Sequence, residues 1–299
     1  MRIKKNGKVI TLTESDLNRI VKKVLNEQQG GSDITGYQIN YGDYGFTVDG
    51  YRVKGDDLIV FLNPDTEITN SPAINKMVEL AKKDSEQGII SCRKIKPGNR
   101  LEREITFLSP WLTIGFVRSM YKIIYRKKLQ TLYKKSEMTW NPEWLTGSIF
   151  LISSENFKLI GSLPENDYWM YYEEMDVAQR IKLVGKKITL LRDVEILHQH
   201  GGSSRINPKT SAITKSEVMI SRFVYIQKFY GNRSQKYLMY LLFLLISLID
   251  QLIKAIISTP VFWLNRPKAS ILLFFESLKY FFNAFLRKSW RSKRLEQKK

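Results

Sequence analysis

The chain has 299 residues, 43% hydrophobic and 12% aromatic, which excludes a disordered polymer and supplies one sizeable core with additions. A single cysteine, Cys92, excludes an internal disulfide. The basic residues 1–8 lead into no apolar run of the secretory kind, so a reducing, cytoplasmic setting is expected. A formal charge of +19 favours polyanionic partners without choosing among nucleic acid, anionic lipid and phosphate-bearing substrates.

In chain order, Thr13 as N-cap with Asp16 three residues on, and Leu17, Ile20, Val21, Val24 and Leu25 on one stripe, predict a leader helix over 11–28. The polar, Gly-rich residues 28–33 read as a linker. The run Leu58-Ile59-Val60-Phe61-Leu62 predicts a buried strand that Asn63-Pro64-Asp65 ends abruptly. Polar groups at a strand's C-terminal end lie where ligands gather in open α/β sheets. A helix over 73–83 and a strand over 88–92 then suggest parallel strands joined by a crossover helix.

Further along, 149–152 read as a short apolar strand followed by a helix starting at Ser153 or Ser154. A helix over 175–185 has Gly185 as its cap, and 188–191 and 194–197 are two short strands. The apolar stretches 237–249 and 271–285 are interrupted or followed by Asp250, Lys254, Glu276 and Lys279, and each falls short of the roughly 20 apolar residues of a membrane span. Two amphipathic helices in a membrane interface are therefore expected. The basic tail Arg287, Lys288, Arg291, Lys293, Arg294, Lys298 and Lys299 would lie on anionic lipid. The alternative is a helical subdomain whose apolar faces meet each other.

Three clusters could carry chemistry: Asn63-Pro64-Asp65, Glu173-Glu174-Met175-Asp176 and His198-Gln199-His200, which holds both histidines of the chain. A hard divalent cation such as Mg2+ or Mn2+ takes oxygen ligands and tolerates an imidazole, whereas a structural zinc would want four sulfur or nitrogen ligands. Asp65 could instead cap a helix, and the acidic group at 173–176 could simply favour a helix N-terminus. Arg180, four residues after Asp176, is placed to pair with it.

In order and spacing, Leu62-Asn63-Pro64-Asp65-Thr66, Trp144-Leu145-Thr146-Gly147-Ser148, Tyr171-Tyr172-Glu173-Glu174-Met175-Asp176 with Arg180, Gly185, and His198 with Gly202 and Ser203 resemble the family 2 glycosyltransferases, rhamnosyltransferase-like branch. The resemblance covers residues 42–204 and, more loosely, the apolar C-terminal region. It implies an α/β, GT-A-like fold with a mixed, mainly parallel sheet over 34–230, followed by an amphipathic membrane-associated region over 231–299. It also implies inverting transfer from a nucleotide-sugar to a saccharide or lipid-linked acceptor in surface polysaccharide synthesis, at the cytoplasmic face of the membrane.

By the same resemblance, Mg2+ or Mn2+ on the donor diphosphate would be held by Asp65 and His198, with Asn63 and Ser203 on the donor side. Glu174 stands where the family's Asp base is expected, with Asp176 as the fallback. Trp144, Gly147 and Glu173 would line the acceptor side. The family's opening strand, helix and strand for the nucleotide have no counterpart beyond Asn40-Tyr41-Gly42 and Gly45-Phe46. Residues 34–46 could supply a shortened strand, or a partner chain could complete the sheet. A catalytically degenerate, membrane-bound scaffolding subunit is the second reading. Residues 118–135 interleave tyrosines with cations, yet no specific nucleic-acid module is recognised; the segment equally suits a basic helix lying on lipid.

Overall fold

The structure, a computed structural model, describes residues 2–5, 8–11, 39–42, 45–48, 51–52, 57–63, 65–68, 72–98, 100–101, 109–126, 139–161, 163–164, 166–199, 207–230, 234–287 and 289–298. The chain divides into two compact units, Met1–Lys54 and Gly55–Lys299.

In the first unit β1 (Arg2–Lys5) pairs antiparallel with β2 (Lys8–Thr11), and β3 (Ile39–Gly42), β4 (Gly45–Val48) and β5 (Tyr51–Arg52) form an antiparallel three-stranded sheet. Thr11, expected to open the leader helix, closes β2 instead, opposite Arg2. Residues 12–28 of that expected helix lie outside the described residues. Asn40-Tyr41-Gly42 and Gly45-Phe46 are the two arms of the β3–β4 hairpin, with Tyr41 opposite Phe46.

The second unit is built on a mixed sheet. Its strands are β6 (Leu58–Leu62), β7 (Thr66–Glu67), β8 (Gln87–Lys96), β9 (Arg100–Leu101), β10 (Ile149–Ser153) and β11 (Lys187–His198). The spatial order is β6-β10-β8-β11-β7, with β9 paired to β8. The β8–β11 ladder is parallel, whereas β6–β10, β10–β8, β8–β9 and β7–β11 are antiparallel. The expectation of a mainly parallel sheet is thus corrected. β6, β8 and β11 do run the same way, but β10 lies reversed between β6 and β8 and turns two of the central ladders antiparallel. Leu151 of this inserted strand is 1% exposed and Ile152 fully buried, so an apolar run alone carried no sign of its direction.

The seven helices among the described residues are α1 (Ala73–Lys83), α2 (Gly115–Ile124), α3 (Ser154–Leu159), α4 (Glu173–Leu183), α5 (Pro208–Tyr230), α6 (Ser234–Ser258) and α7 (Asn265–Arg287). Ser153 caps α3, its hydroxyl accepting from the Asn156 N–H at 3.1 Å, which satisfies a helix-end donor. Gly185 ends α4 with φ of 79°, a left-handed position that glycine occupies at no steric cost. Gly88 is required for a different reason. A Cβ there would come within 2.4 Å of Ile181 Cγ2 and 3.0 Å of the Lys187 carbonyl, so its absence lets α4 pack tightly on β8.

The two strands expected over 188–191 and 194–197 are one strand, β11, whose pairing to β8 shifts register between Leu191 and Glu195. Such an irregularity interrupts the hydrophobic alternation without ending the strand. One apolar core joins α1 to the sheet through Ala73, Met77, Ile90, Cys92, Ile149 and Leu191. A second joins α4, α5 and α7 through Met175, Phe223, Tyr225, Tyr280 and Ala284, with Trp144 and Tyr172 packed against it. The C-terminal helix therefore shares a core with the helix that carries Glu174.

α7 is longer than the expected 271–285 stretch. By length and composition, Asn265–Leu286 is the one helix among the described residues apolar enough to cross a membrane, with mean hydropathy 1.3. Its Glu276 pairs with Lys279 at 2.9 Å. In the tail, Arg291 bonds Asp167 at 2.6 Å, and Arg294 pairs with the buried Glu217. These two tail cations, expected on anionic lipid, instead meet carboxylates of the protein.

Candidate active site

The functional side chains gather where β6 and β11 end and β10 begins. Ser148 precedes β10, and its carbonyl accepts the Asn63 N–H at 2.9 Å and the Thr66 hydroxyl at 3.1 Å. Asn63 in turn accepts from the Thr66 N–H at 3.0 Å, closing a tight turn around position 65. β7 then pairs with the end of β11, setting Thr66 opposite His198, and the Gln199 N–H donates to the Asp65 carbonyl at 2.9 Å. Asp65 is thus held by backbone bonds on both sides of the turn. It belongs to no helix, which removes the capping alternative.

This register brings together two of the expected residues from distant parts of the chain. His198 Nε2 lies 3.3 Å from Asp65 Oδ1, the histidine side chain 6% exposed and the aspartate 42%. A half-open carboxylate beside a buried imidazole offers one oxygen ligand of the hard-cation type and one nitrogen that such an ion tolerates. Among the described residues no group of three or more His, Cys, Asp and Glu converges on a point. Two protein ligands fit a Mg2+-like ion that takes its remaining oxygens from substrate phosphates and water; they do not suffice for an all-protein cage.

Glu174 sits on the first turn of α4, directly over Gly147. A Cβ placed on Gly147 would lie 3.5 Å from Glu174 Cδ and 3.7 Å from Oε1. The Glu174 carboxylate thus lies beside the backbone next to Ser148, at a distance where a methyl group on residue 147 would make ordinary contact with it. Entry into α4 is strained, because Tyr171 and Tyr172 have φ of 65° and 76°. Two consecutive left-handed tyrosines cost about 1–3 kcal/mol each and persist only where the surroundings over-determine them. Arg222 Nε donates to the Tyr172 hydroxyl at 3.2 Å, and the Tyr172 ring lies 5.8 Å from that of Tyr225. The result is a fixed position for the turn that carries Glu173 and Glu174.

Asp176 has a different environment. Fully buried, it accepts from Tyr168 Oη at 2.9 Å, from Arg180 Nε at 2.6 Å and from Lys228 Nζ at 2.7 Å. The Arg180 pairing expected from the four-residue spacing is present, and Arg180 also donates to the Ile160 carbonyl. Lys228 continues to Asp167 at 2.8 Å. A carboxylate so enclosed and so fully bonded is an ion-pair hub tying α4 to α5, and no face of it is open to an acceptor hydroxyl. The fallback-base assignment of Asp176 is therefore dropped.

Trp144 packs against the second core, half-buried, with its Nε1 buried and without a hydrogen-bond partner among the described residues. Ser203, Gly202 and His200 lie outside the described residues. Lys94 was missed by sequence reasoning. It is 2% exposed and its Nζ donates to the Thr146 carbonyl at 3.2 Å, one residue from Gly147. The signal was present, since Ile90, Cys92 and Lys94 occupy successive inward positions of β8 and a cation at such a position needs a polar partner.

No family model matches the chain, and no curated protein matches it. Among solved structures it is similar to GalNAc-T7 with UDP, GalNAc and Mn2+, at 14% identity and a TM-score of 0.33. The likeness covers 53% of this chain and 31% of that one. The chain spans less than a third of the other protein's length.

Proposed function

We propose that the chain is a metal-dependent glycosyltransferase using a nucleotide-diphosphate sugar, with Asp65 and His198 on the donor side and Glu174 as the base. The observation that carries this reading is the approach of Asp65 and His198 to 3.3 Å at the C-terminal edge of the sheet, two contacts from Glu174 through Ser148 and Gly147. A divalent ion held there would neutralise charge on the departing diphosphate.

The protein groups supply the rest. The acceptor hydroxyl oxygen attacks the anomeric carbon as the bond to the diphosphate oxygen breaks, and the hydroxyl proton passes to the Glu174 carboxylate. Glu174 reaches from α4 to the side of Gly147, and the Tyr171-Tyr172 turn fixes its origin. Trp144 and Glu173 would border the acceptor. Localisation at the cytoplasmic face of a membrane is part of the proposal. The membrane attachment within it is supported by exposed apolar residues on α6, such as Ile249, Ile253, Ile256 and Ile257, and by Phe262 and Trp263 after it.

Calorimetric titration of nucleoside diphosphates, with and without Mn2+, tests the donor side. Metal-dependent binding that disappears in Asp65→Ala is expected, and equal binding in both proteins would remove the assignment. A second reading, a degenerate glycosyltransferase fold acting as a scaffold, is favoured by β6 standing at the end of the sheet among the described residues. Sugar transfer by the purified chain would eliminate it.

A further inference from the structure

The segment just ahead of Glu174 is gripped from two sides. From α5, the Ser221 hydroxyl donates to the Met170 carbonyl at 2.7 Å, Arg222 reaches the Tyr172 hydroxyl at 3.2 Å, and Lys228 bonds Asp167 Oδ2 at 2.8 Å. From residues 289–298, Arg291 Nη2 bonds Asp167 Oδ1 at 2.6 Å, and the Arg294 guanidinium lies 5.7 Å from the centre of the Trp169 ring. Between these contacts and Glu173 stand the two left-handed residues, Tyr171 and Tyr172. Such a backbone persists only while its surroundings hold it.

The residues that supply the second grip are themselves built into the fold. Trp290 is buried in the core that α4, α5 and α7 share, and its carbonyl accepts the Tyr280 hydroxyl at 2.8 Å. Arg294 pairs with the buried Glu217 of α5, whose second oxygen has no hydrogen-bond partner among the described residues. Arg294 is therefore an anchor, and its loss would leave a buried charge uncompensated. Arg291 differs. Its side chain is 56% exposed, and Asp167 keeps Lys228 when it is removed. Lys228 also bonds Asp176 on α4 at 2.7 Å, so the carboxylate that Arg291 holds is one cation away from the helix of the base.

We propose that residues 289–298 form a strap on the turn that carries Glu174, with Arg291 as a positioning residue acting through Asp167; the step rests on the reading of Glu174 as base. Arg291 restrains the start of segment 167–172, while Ser221 and Arg222 restrain its end. The tyrosines pass that restraint to the first turn of α4. An acceptor hydroxyl must meet the base at hydrogen-bond distance, and a displacement of about 1 Å is enough to slow such a reaction strongly. The donor side is independent of the strap, because β7 and β11 hold Asp65 and His198.

Hydrogen–deuterium exchange of the full chain, mapped by peptide, tests the strap without an activity assay. Arg291→Gln should speed exchange over residues 167–174 and leave the sheet unchanged. Arg291→Lys should restore protection, since the bond to Asp167 uses one nitrogen. Lys76→Gln, which breaks the 2.5 Å pair of Lys76 with Asp193, should leave that segment as it is. Slow exchange over 167–174 in Arg291→Gln overturns the proposal, as does faster exchange throughout the chain with a matching fall in melting temperature. Kinetics separate the proposal from the reading beneath it. With the nucleotide-sugar that the wild-type chain turns over, Arg291→Gln should lower kcat roughly 10–100-fold and leave donor KM and Mn2+-dependent nucleoside diphosphate binding unchanged. Weakened nucleotide binding in Arg291→Gln would move Arg291 to the donor side and overturn the strap. Normal transfer by Glu174→Gln would remove the base reading alone, with the exchange result standing.

Discussion

Asp65 and His198 meet at 3.3 Å although 132 residues lie between them, because β7 folds back onto the end of β11 and sets Thr66 opposite His198. If both ligate one ion, their substitutions are not independent. Asp65→Ala and His198→Ala should each weaken Mn2+-dependent nucleoside diphosphate binding tenfold or more, about 1.4 kcal/mol, and the double variant should lose less than the sum. Strict additivity in a titration cycle would show that the two side chains act separately.

The two acidic residues of α4 should separate cleanly. Glu174→Gln keeps shape and removes the base, so transfer is expected to fall about 10²–10⁴-fold with the melting temperature nearly unchanged. Asp176→Asn leaves Arg180 and Lys228 beside an uncharged buried group, and should cost about 3–5 kcal/mol of stability. Thermal melts beside a transfer assay decide the matter. An Asp176→Asn protein of normal stability and no activity would return Asp176 to the chemistry.

Two glycines make a contrasting pair. Gly88→Ala drives a methyl group to 2.4 Å from Ile181 Cγ2 and should destabilise by about 1–3 kcal/mol through overpacking. Gly147→Ala brings its methyl only to ordinary contact with Glu174, at 3.5 Å, so the fold should hold while the base loses freedom. Chemical denaturation and kcat, measured together, should show stability lost in the first variant and turnover in the second.

Alkaline stability reports on the Asp176 hub. Burial, and then the charge of Asp176, pushes the Tyr168 hydroxyl above its ordinary value of 10.0. A group whose folded pKa is raised contributes stability that is complete below the unfolded value and is lost as pH climbs beyond it. Melting temperature should therefore begin to fall above pH 10.0, and less steeply in Tyr168→Phe, whose baseline stability is lower because the bond to Asp176 is gone. Parallel pH slopes for the two proteins would show that Tyr168 does not drive the loss.

The apolar run 58–62, helix 73–83, the strand at 149–152 and the cap at Ser153 could be read directly, because periodicity, turn chemistry and capping are local properties. The pairing of Arg180 with Asp176 could be read for the same reason, since four residues on a helix fix their separation. Helix α5 went unread, although Phe223, Val224, Tyr225 and Ile226 are all buried. A helix covered on most sides shows no amphipathic stripe.

The sequence by itself determined which residues carry acid, imidazole and positive charge, and where strands, helices and caps with a local signature lie. Only the tertiary structure decided their company. The reversed β10 brings Ser148 to Asn63, the burial of Asp176 among Tyr168, Arg180 and Lys228 separates it from Glu174, and α5 carries Arg222 to Tyr172. These are contacts between residues far apart in the chain. They depend on strand order and helix packing, and a local pattern of residues does not encode which distant neighbour will share its environment.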